Sequence, residues 1–306
     1  MLSIAQAHQL TGHTASIFAL ATAEEPFSFF SADGNGWVVK WDLRQKDFGQ
    51  AIAQVPSNVF SLRFLPSLQL LAVGSMQGTL YFIDLDNNKV LEPALQFEKS
   101  VYCFETHQNL LYVGTGAGEL MEIDPLALTV NRTIAVCNQS IRSIDQHPTL
   151  PLLALGCSNH SIYLVNLDTF QIIEELVYHK NSVFSVRFSP DGRYLLSGSR
   201  DAFLGVWEIN AEQAAALLHT IPAHLFTINS ITYLSPLRLF ASASRDKSIK
   251  IWDADTFTLL KVIDNTKPDE WTSHKNSVNC LLWLPKAQLL VSGGDDRNLF
   301  VWQITE

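Results

Sequence analysis

The sequence predicts an all-β fold: a seven-bladed β-propeller of four-stranded antiparallel blades, with the ring closed by the N-terminal strand joining the last blade. Three observations predict it. First, apolar runs end in similar residue pairs at Trp41-Asp42, Ile83-Asp84, Ile123-Asp124, Val165-Asn166, Trp207-Glu208, Trp252-Asp253 and Trp302-Gln303, spaced by 42, 40, 42, 42, 45 and 50 residues. A period of about 40–45 residues made of strand-like segments is that of a four-stranded propeller blade. Second, His13, His179, His224 and His274 are each followed after 18 residues by Ser31, Ser197, Ser242 or Ser292. Four residues on stands Asn35, Asp201, Asp246 or Asp296, and six further Trp41, Trp207, Trp252 or Trp302. Third, the segment from Ser3 to Leu10 precedes His13, where the other repeats place an outermost strand, whereas the last repeat reaches only a third strand at Trp302 to Glu306.

The elements follow in order. Residues 1–10 are expected to complete the last blade, covering its open edge. Blade one holds His13, Ser31 and Trp41, with Asn35 where the other copies have an acid. Blades two, three and four lack the quartet: Ile83, Ile123 and Val165 stand at the Trp position, and Gln77, Ala117 and Asn159 at the acid position. Their alternation and the turn glycines Gly78 and Gly118 remain, so they are expected to be blades held by apolar packing alone. Blades five, six and seven carry the full quartet. Between the third and fourth strands of blade five, on the face opposite the binding face, Asn210 to Ala216 is a small insertion whose Ala-Glu-Gln-Ala-Ala-Ala run suits one helical turn. Between six and seven, Asn265 to Thr272 is a longer one containing Trp271.

These segments resemble the WD40-repeat family across nearly the whole chain. The resemblance rests on Gly12-His13 and on Ser197 to Glu208, Ser242 to Asp253 and Ser292 to Gln303. It implies that His, Ser, Asp and Trp form a hydrogen-bonded chain within a blade. The chemistry agrees: a carboxylate accepts from His, His and Ser exchange bonds, and an indole N–H only donates. The expected structural network is therefore His13, Ser31, Asn35, Trp41; His179, Ser197, Asp201, Trp207; His224, Ser242, Asp246, Trp252; and His274, Ser292, Asp296, Trp302. Four copies at one spacing argue against a hydrolase triad, which is needed once.

Composition narrows function. The chain has 306 residues, 47% of them hydrophobic, and 21 basic against 30 acidic residues give a net charge of −9. It is long enough for a large core, and one domain over 1–306 is expected. An acidic balance disfavours nucleic acid as partner, since phosphates need a basic face. No apolar run is long enough to cross a membrane, and the N-terminal residues have no secretory pattern, so a cytoplasmic location without a membrane partner is expected. Cys103, Cys137, Cys157 and Cys280 lack C-x-x-C spacing and read as small core residues of a reducing compartment. His8, His107, His147, His160 and His219 show no metal-ligand spacing, and Gly114-x-Gly116-x-Gly118 is a turn that opens no helix. No metal, cofactor or catalytic residue is expected.

Binding positions can be read by register, counting from the His. Positions +4 (Ile17, Val59, Val101, Ile141, Val183, Ile228, Val278) and +7 (Leu20, Leu62, Phe104, Ile144, Val186, Ile231, Leu281) are all apolar. Their separation of three breaks the strand period of two, so a bulge or a late strand start is expected between them. It would turn position +5 toward the channel mouth: Phe18, Phe60, Tyr102, Arg142, Phe184, Asn229 and Asn279. The resemblance implies partner binding there, at +3 (Ser16, Asn58, Ser100, Ser140, Ser182, Thr227, Ser277) and at the residue before the turn acid. The expected partner-binding set is Phe18, Phe60, Met76, Tyr102, Phe184, a cationic sector of Arg142, Arg200 and Arg245, and Trp271 as an exposed anchor, the alternative for Trp271 being a lid packed on its own blade; aromatics and Arg are the residues of binding hot spots. The sequence thus predicts a non-catalytic protein- or peptide-binding scaffold, monomeric on its own. The alternatives are a metal-dependent hydrolase or lyase with a channel-mouth site, and an architectural subunit docking through its rim.

Overall fold

The computed structural model describes residues 2–45, 49–92, 94–210, 213–266 and 271–305. The strands form seven antiparallel sheets. Blade one is Ile17–Thr22, Ser28–Asp33, Trp37–Asp42 and Gly49–Gln54, from the channel outward. Blades three to six repeat the pattern from Val101–His107, Ile141–Gln146, Val183–Phe188 and Ile228–Tyr233. Blade two begins at Val59–Leu65, and its outer edge is broken into Lys89–Val90 and Leu95–Gln96, both paired with Thr79–Asp84. The intervening sequence, Leu91-Glu-Pro-Ala94, includes a residue without an N–H for the ladder.

Blade seven closes the ring. Its first three strands are Val278–Leu284, Leu289–Gly294 and Leu299–Thr305, and its fourth is Ser3–Leu10 from the opposite end of the chain. The pairing runs from Ser3 opposite Thr305 to Leu10 opposite Leu299, with one bulge between Gln6 and His8.

The core lies between blades. Seven apolar clusters each occupy one seam, for example Val38, Val59 and Phe64 between blades one and two, and Leu10, Ile17 and Val301 where blade seven meets blade one. All seven residues at position +4 are 0% exposed. Each such side chain contributes about 1.5–3 kcal/mol of burial, which makes the seams the main cohesive element.

Blades three and four are not held by apolar packing alone. In blade three, Tyr112, Glu122 and Arg132 stand opposite one another on three adjacent strands. The Tyr112 hydroxyl donates to Glu122 at 2.9 Å, Arg132 pairs with the same carboxylate, and its guanidinium lies 4.5 Å from the Phe170 ring centre in blade four. In blade four Tyr163 donates to Glu175 at 3.0 Å. Cross-strand polar rows replace the quartet, a substitution that alternation alone does not reveal.

The insertion between the third and fourth strands of blade five also differs from expectation. Asn210 ends the third strand and Gln213–Pro222 is the fourth, paired with it, so residues 213–216 are extended; residues 211–212 of the expected helical turn lie outside the described residues. Ladder pairing outweighs a weak alanine propensity over so few residues. Of the later insertion, residues 267–270 likewise lie outside the described residues.

Candidate functional site

In all seven blades the innermost strand slips register at position +5. Ile17 pairs with Asp33 and Ala19 with Ala32, skipping Phe18; the same slip skips Phe60, Tyr102, Arg142, Phe184, Asn229 and Asn279. A bulged residue is freed from the pleat and can be re-aimed. All seven side chains line a single axial cavity of about 210 Å³.

The bulged residues touch in sequence. Phe18 meets Phe60 edge-on at 5.5 Å, and Phe60 stacks on Tyr102 at 5.4 Å. Arg142 then lies 4.1 Å from the Tyr102 ring centre and 5.3 Å from that of Phe184. Its Nε donates to Ser158 Oγ at 2.9 Å. Arg142 is therefore part of the aromatic row, held by cation–π contacts. Asn279 and Asn229 close the ring with polar bonds, Asn279 to Ile17 O and Asp295, and Asn229 to Val278 O.

Around this ring the turns are pinned to a common plan. In every blade the backbone N–H of the residue before the turn acid donates to the carbonyl at position +3, as in Met76 to Asn58, Arg200 to Ser182 and Arg245 to Thr227. At +3, Ser100, Ser140 and Ser182 donate their hydroxyls to carbonyls of the preceding blade, so these groups join blades. The side chains of Met76, Arg200 and Arg245 project from fixed backbone and are exposed. Neither Arg200 nor Arg245 has a side-chain partner among the described residues.

The four quartets lie beneath this face. His13 Nε2 meets Ser31 Oγ at 2.6 Å and Trp41 Nε1 donates to the same oxygen at 2.7 Å; the equivalent distances are 2.8 and 2.9 Å at Ser197, 2.7 and 2.9 Å at Ser242, and 2.9 and 3.0 Å at Ser292. His179, His224 and His274 reach Asp201, Asp246 and Asp296 through Nδ1 at 2.9–3.1 Å. In blade one the acid is Asp33, not Asn35: His13 Nδ1 lies 3.0 Å from Asp33 Oδ2. Asn35 instead donates from its side chain to Thr14 Oγ1. Asp33 stands two residues earlier on the chain and reproduces the whole pattern, accepting from Thr14 N and Trp37 N just as Asp201 accepts from Lys180 N and Phe203 N. The four serines are 0% exposed, so none presents a nucleophile to a substrate. Among the described residues no group of three or more His, Cys, Asp or Glu side chains is arranged to hold a metal.

Trp271 is not an exposed anchor. It is 8% exposed, donates Nε1 to Asp264 O at 2.9 Å and meets Trp302 edge-on at 6.3 Å, sealing the seam between blades six and seven. It packs as a lid, the alternative left open by the polar loop around it, because an indole with one backbone acceptor buries readily. The exposed apolar pair lies elsewhere: Leu225 and Phe226 are 83% and 59% exposed. Leu225 N donates to Asp246, and Phe226 O accepts from Ser244, placing the pair beside the Arg245 turn. A signal existed, since positions +1 and +2 in blades five and seven are Lys180-Asn181 and Lys275-Asn276, and only blade six has two large apolar residues there.

Three stretches match the WD40 family, described as WD domain, G-beta repeat: residues 170–208, 215–253 and 266–303, covering three of the four blades with quartets. The chain thus carries three matched WD40 repeats on a seven-bladed propeller. Among curated proteins it resembles nuclear distribution protein PAC1 of Arthroderma otae (28% identity, 51% of this chain, 36% of the relative). It also resembles a WD repeat-containing protein WDS homolog of Arabidopsis thaliana (26%, 43% and 24%) and transcription initiation factor TFIID subunit 5 of Caenorhabditis elegans (30%, 41% and 18%). The matched part thus spans about a third or less of each relative's length. No helix is long and apolar enough to cross a membrane among the described residues.

Proposed function

We propose that the chain binds a protein or peptide partner, without catalysis, on the face that surrounds the channel mouth. The observation that carries this reading is the bulge repeated in seven blades, which delivers Phe18, Phe60, Tyr102, Arg142 and Phe184 to one rim as a continuous row. Arg200 and Arg245, unpaired and exposed, supply bidentate donors for carboxylates on the partner. Leu225, Phe226 and Met76 supply apolar anchors, and Trp271 is withdrawn from the set. Pinned turns lose little conformational freedom on docking. A relative named as a subunit of TFIID is compatible with service inside an assembly. Cytoplasmic residence and a monomeric free state belong to the same proposal, checked by fractionation and by light scattering.

The test is affinity capture followed by mass spectrometry, comparing the wild type with a folded variant carrying Phe60→Ala, Tyr102→Ala and Arg142→Ala. Partners lost from the variant support the reading; an unchanged set sinks it. A second reading has its own observation. The outer strands of blades four to six expose Ile172, Ile173, Val177, Leu217, Leu218, Leu259 and Leu260, at 37–71%. An apolar band on the outer edge suits docking through the rim, and partners that survive the triple variant would favour it.

A further inference from the structure

The ten arginines of the chain are unevenly placed. Six pair with acids: Arg44, Arg63, Arg132, Arg187, Arg193 and Arg238 meet Asp42, Glu105, Glu122, Asp145, Asp191 and Asp255 in that order. Arg142 lies in the aromatic row. The three left over are Arg200, Arg245 and Arg297, one in the turn between the second and third strands of each of blades five, six and seven. All three are exposed, and none has a side-chain partner among the described residues. The corresponding turns of blades one to four, residues 34–36, 76–78, 116–118 and 158–160, hold no Lys or Arg.

The turn acids gather further cations around these arginines. Asp201, Asp246 and Asp296 each accept the backbone N–H of the residue after the quartet His, which is Lys180, Leu225 or Lys275. That bond lashes the incoming loop to the turn, so Lys180 stands by Arg200, Leu225 by Arg245 and Lys275 by Arg297. Lys180, Lys247 and Lys275 are exposed as well, and their ammonium groups are unpaired among the described residues. The acids of the same sector are engaged. The three turn carboxylates hold His rings, Asp295 accepts from Asn279, and Asp264 accepts from Thr266. Leu225 and Phe226, both exposed, stand on blade six between the cations of blades five and seven.

We propose that this sector over blades five to seven docks an acidic peptide segment in which carboxylates flank one or two large apolar side chains. The inference rests on the reading that this face binds a peptide, and it names the peptide's chemistry and the blades that receive it. Each guanidinium can take a carboxylate through two parallel N–H···O bonds. Leu225 and Phe226 gain by burial against the apolar side chains of the segment. Unpaired cations on one sector of a chain with net charge −9 steer a short anionic segment to that sector. The same net charge repels a long polyanion, and an apolar pair at the centre favours side chains over phosphates, so a peptide fits better than a nucleic acid.

The test is fluorescence anisotropy of the full chain with a fluorescein-labelled peptide, Asp-Glu-Asp-Phe-Leu-Asp-Glu-Asp. Its comparators are the same peptide with Ala-Ala at the centre, the same peptide with Lys for every acid, and single-stranded oligothymidylate. The expected result is saturable binding that weakens as salt is raised, weakens with the Ala-Ala peptide and disappears with the Lys peptide. Lys180→Glu with Lys275→Glu should weaken it about tenfold or more, and Leu225→Ser with Phe226→Ser severalfold. All four side chains are exposed, so both variants should melt like the wild type. No binding of the acidic peptide, affinity unchanged in both variants, or tighter binding of oligothymidylate overturns the proposal. If the peptide fails while partners are still lost from the Phe60, Tyr102 and Arg142 triple variant, only this inference falls. A capture set unchanged in that variant sinks the channel-mouth reading whatever the peptide does.

Discussion

Asp33 accepts four N–H groups, from the His13 ring and from the backbones of Thr14, Asn35 and Trp37. Removing it strands a buried histidine and unties a turn. Asp33→Ala should therefore cost roughly 2–4 kcal/mol in urea unfolding. Asn35→Ala loses one exposed bond and should cost less than about 1 kcal/mol. Equal costs would show that the acid had been assigned to the wrong residue. Constant spacing pointed to Asn35, because spacing is blind to a carboxylate shifted two positions; only side-chain reach decides between them. Trp271, whose sequence context left anchor and lid equally open, is likewise decided by side-chain packing. Its burial predicts that Trp271→Ala lowers stability by about 3–5 kcal/mol, measured by denaturation, while capture of partners by the folded variant is unchanged.

Among the elements, the strand Ser3–Leu10 carries the most unusual duty, since it covers the edge of Leu299–Thr305 from the opposite end of the chain. A chain lacking residues 1–10 should melt far below the full-length protein, and added peptide of that sequence should restore part of the loss. Equal melting of the two chains would remove the clasp from the account. This element was legible in the sequence because the repeat register left a vacancy at one end and a surplus strand at the other. The bulges were legible too, from apolar positions three apart. The split outer edge of blade two and the Tyr112–Glu122–Arg132 row were not, because a cross-strand row joins residues about ten apart with no local signature.

The whole molecule should weaken in acid, and the sign follows from the shifts. Burial alone would raise Asp201, but bonds from His179 and from the Lys180 and Phe203 backbones outweigh it and hold the carboxyl at about 2. Asp33, Asp246 and Asp296 are lowered by the same balance. An unfolded Asp titrates near about 3.9, so these groups stabilise the ring above about pH 4, and the contribution drains away as pH falls toward about 2. Burial also lowers His224, so the unfolded chain gains a proton below about pH 6.5 that the folded one refuses, which adds a shallower loss at milder acidity. Asp145 opposes the trend: burial, only partly offset by Arg187, raises it to about 6, so it favours the folded state more as pH drops from about 6 to 4. Urea midpoints should fall steeply below about pH 4; a midpoint that rises there would contradict the assignments.

The antiparallel clasp also fixes where neighbouring polypeptide departs. The strand Leu299–Thr305 runs from the turn holding Asp295, which Asn279 grips at the channel mouth, toward the far side of the ring. Ser3 sits opposite Thr305. Sequence preceding the one and following the other would leave side by side, from the underside. A tether, tag or second module attached at either place would hang away from the aromatic row and leave its approach unobstructed.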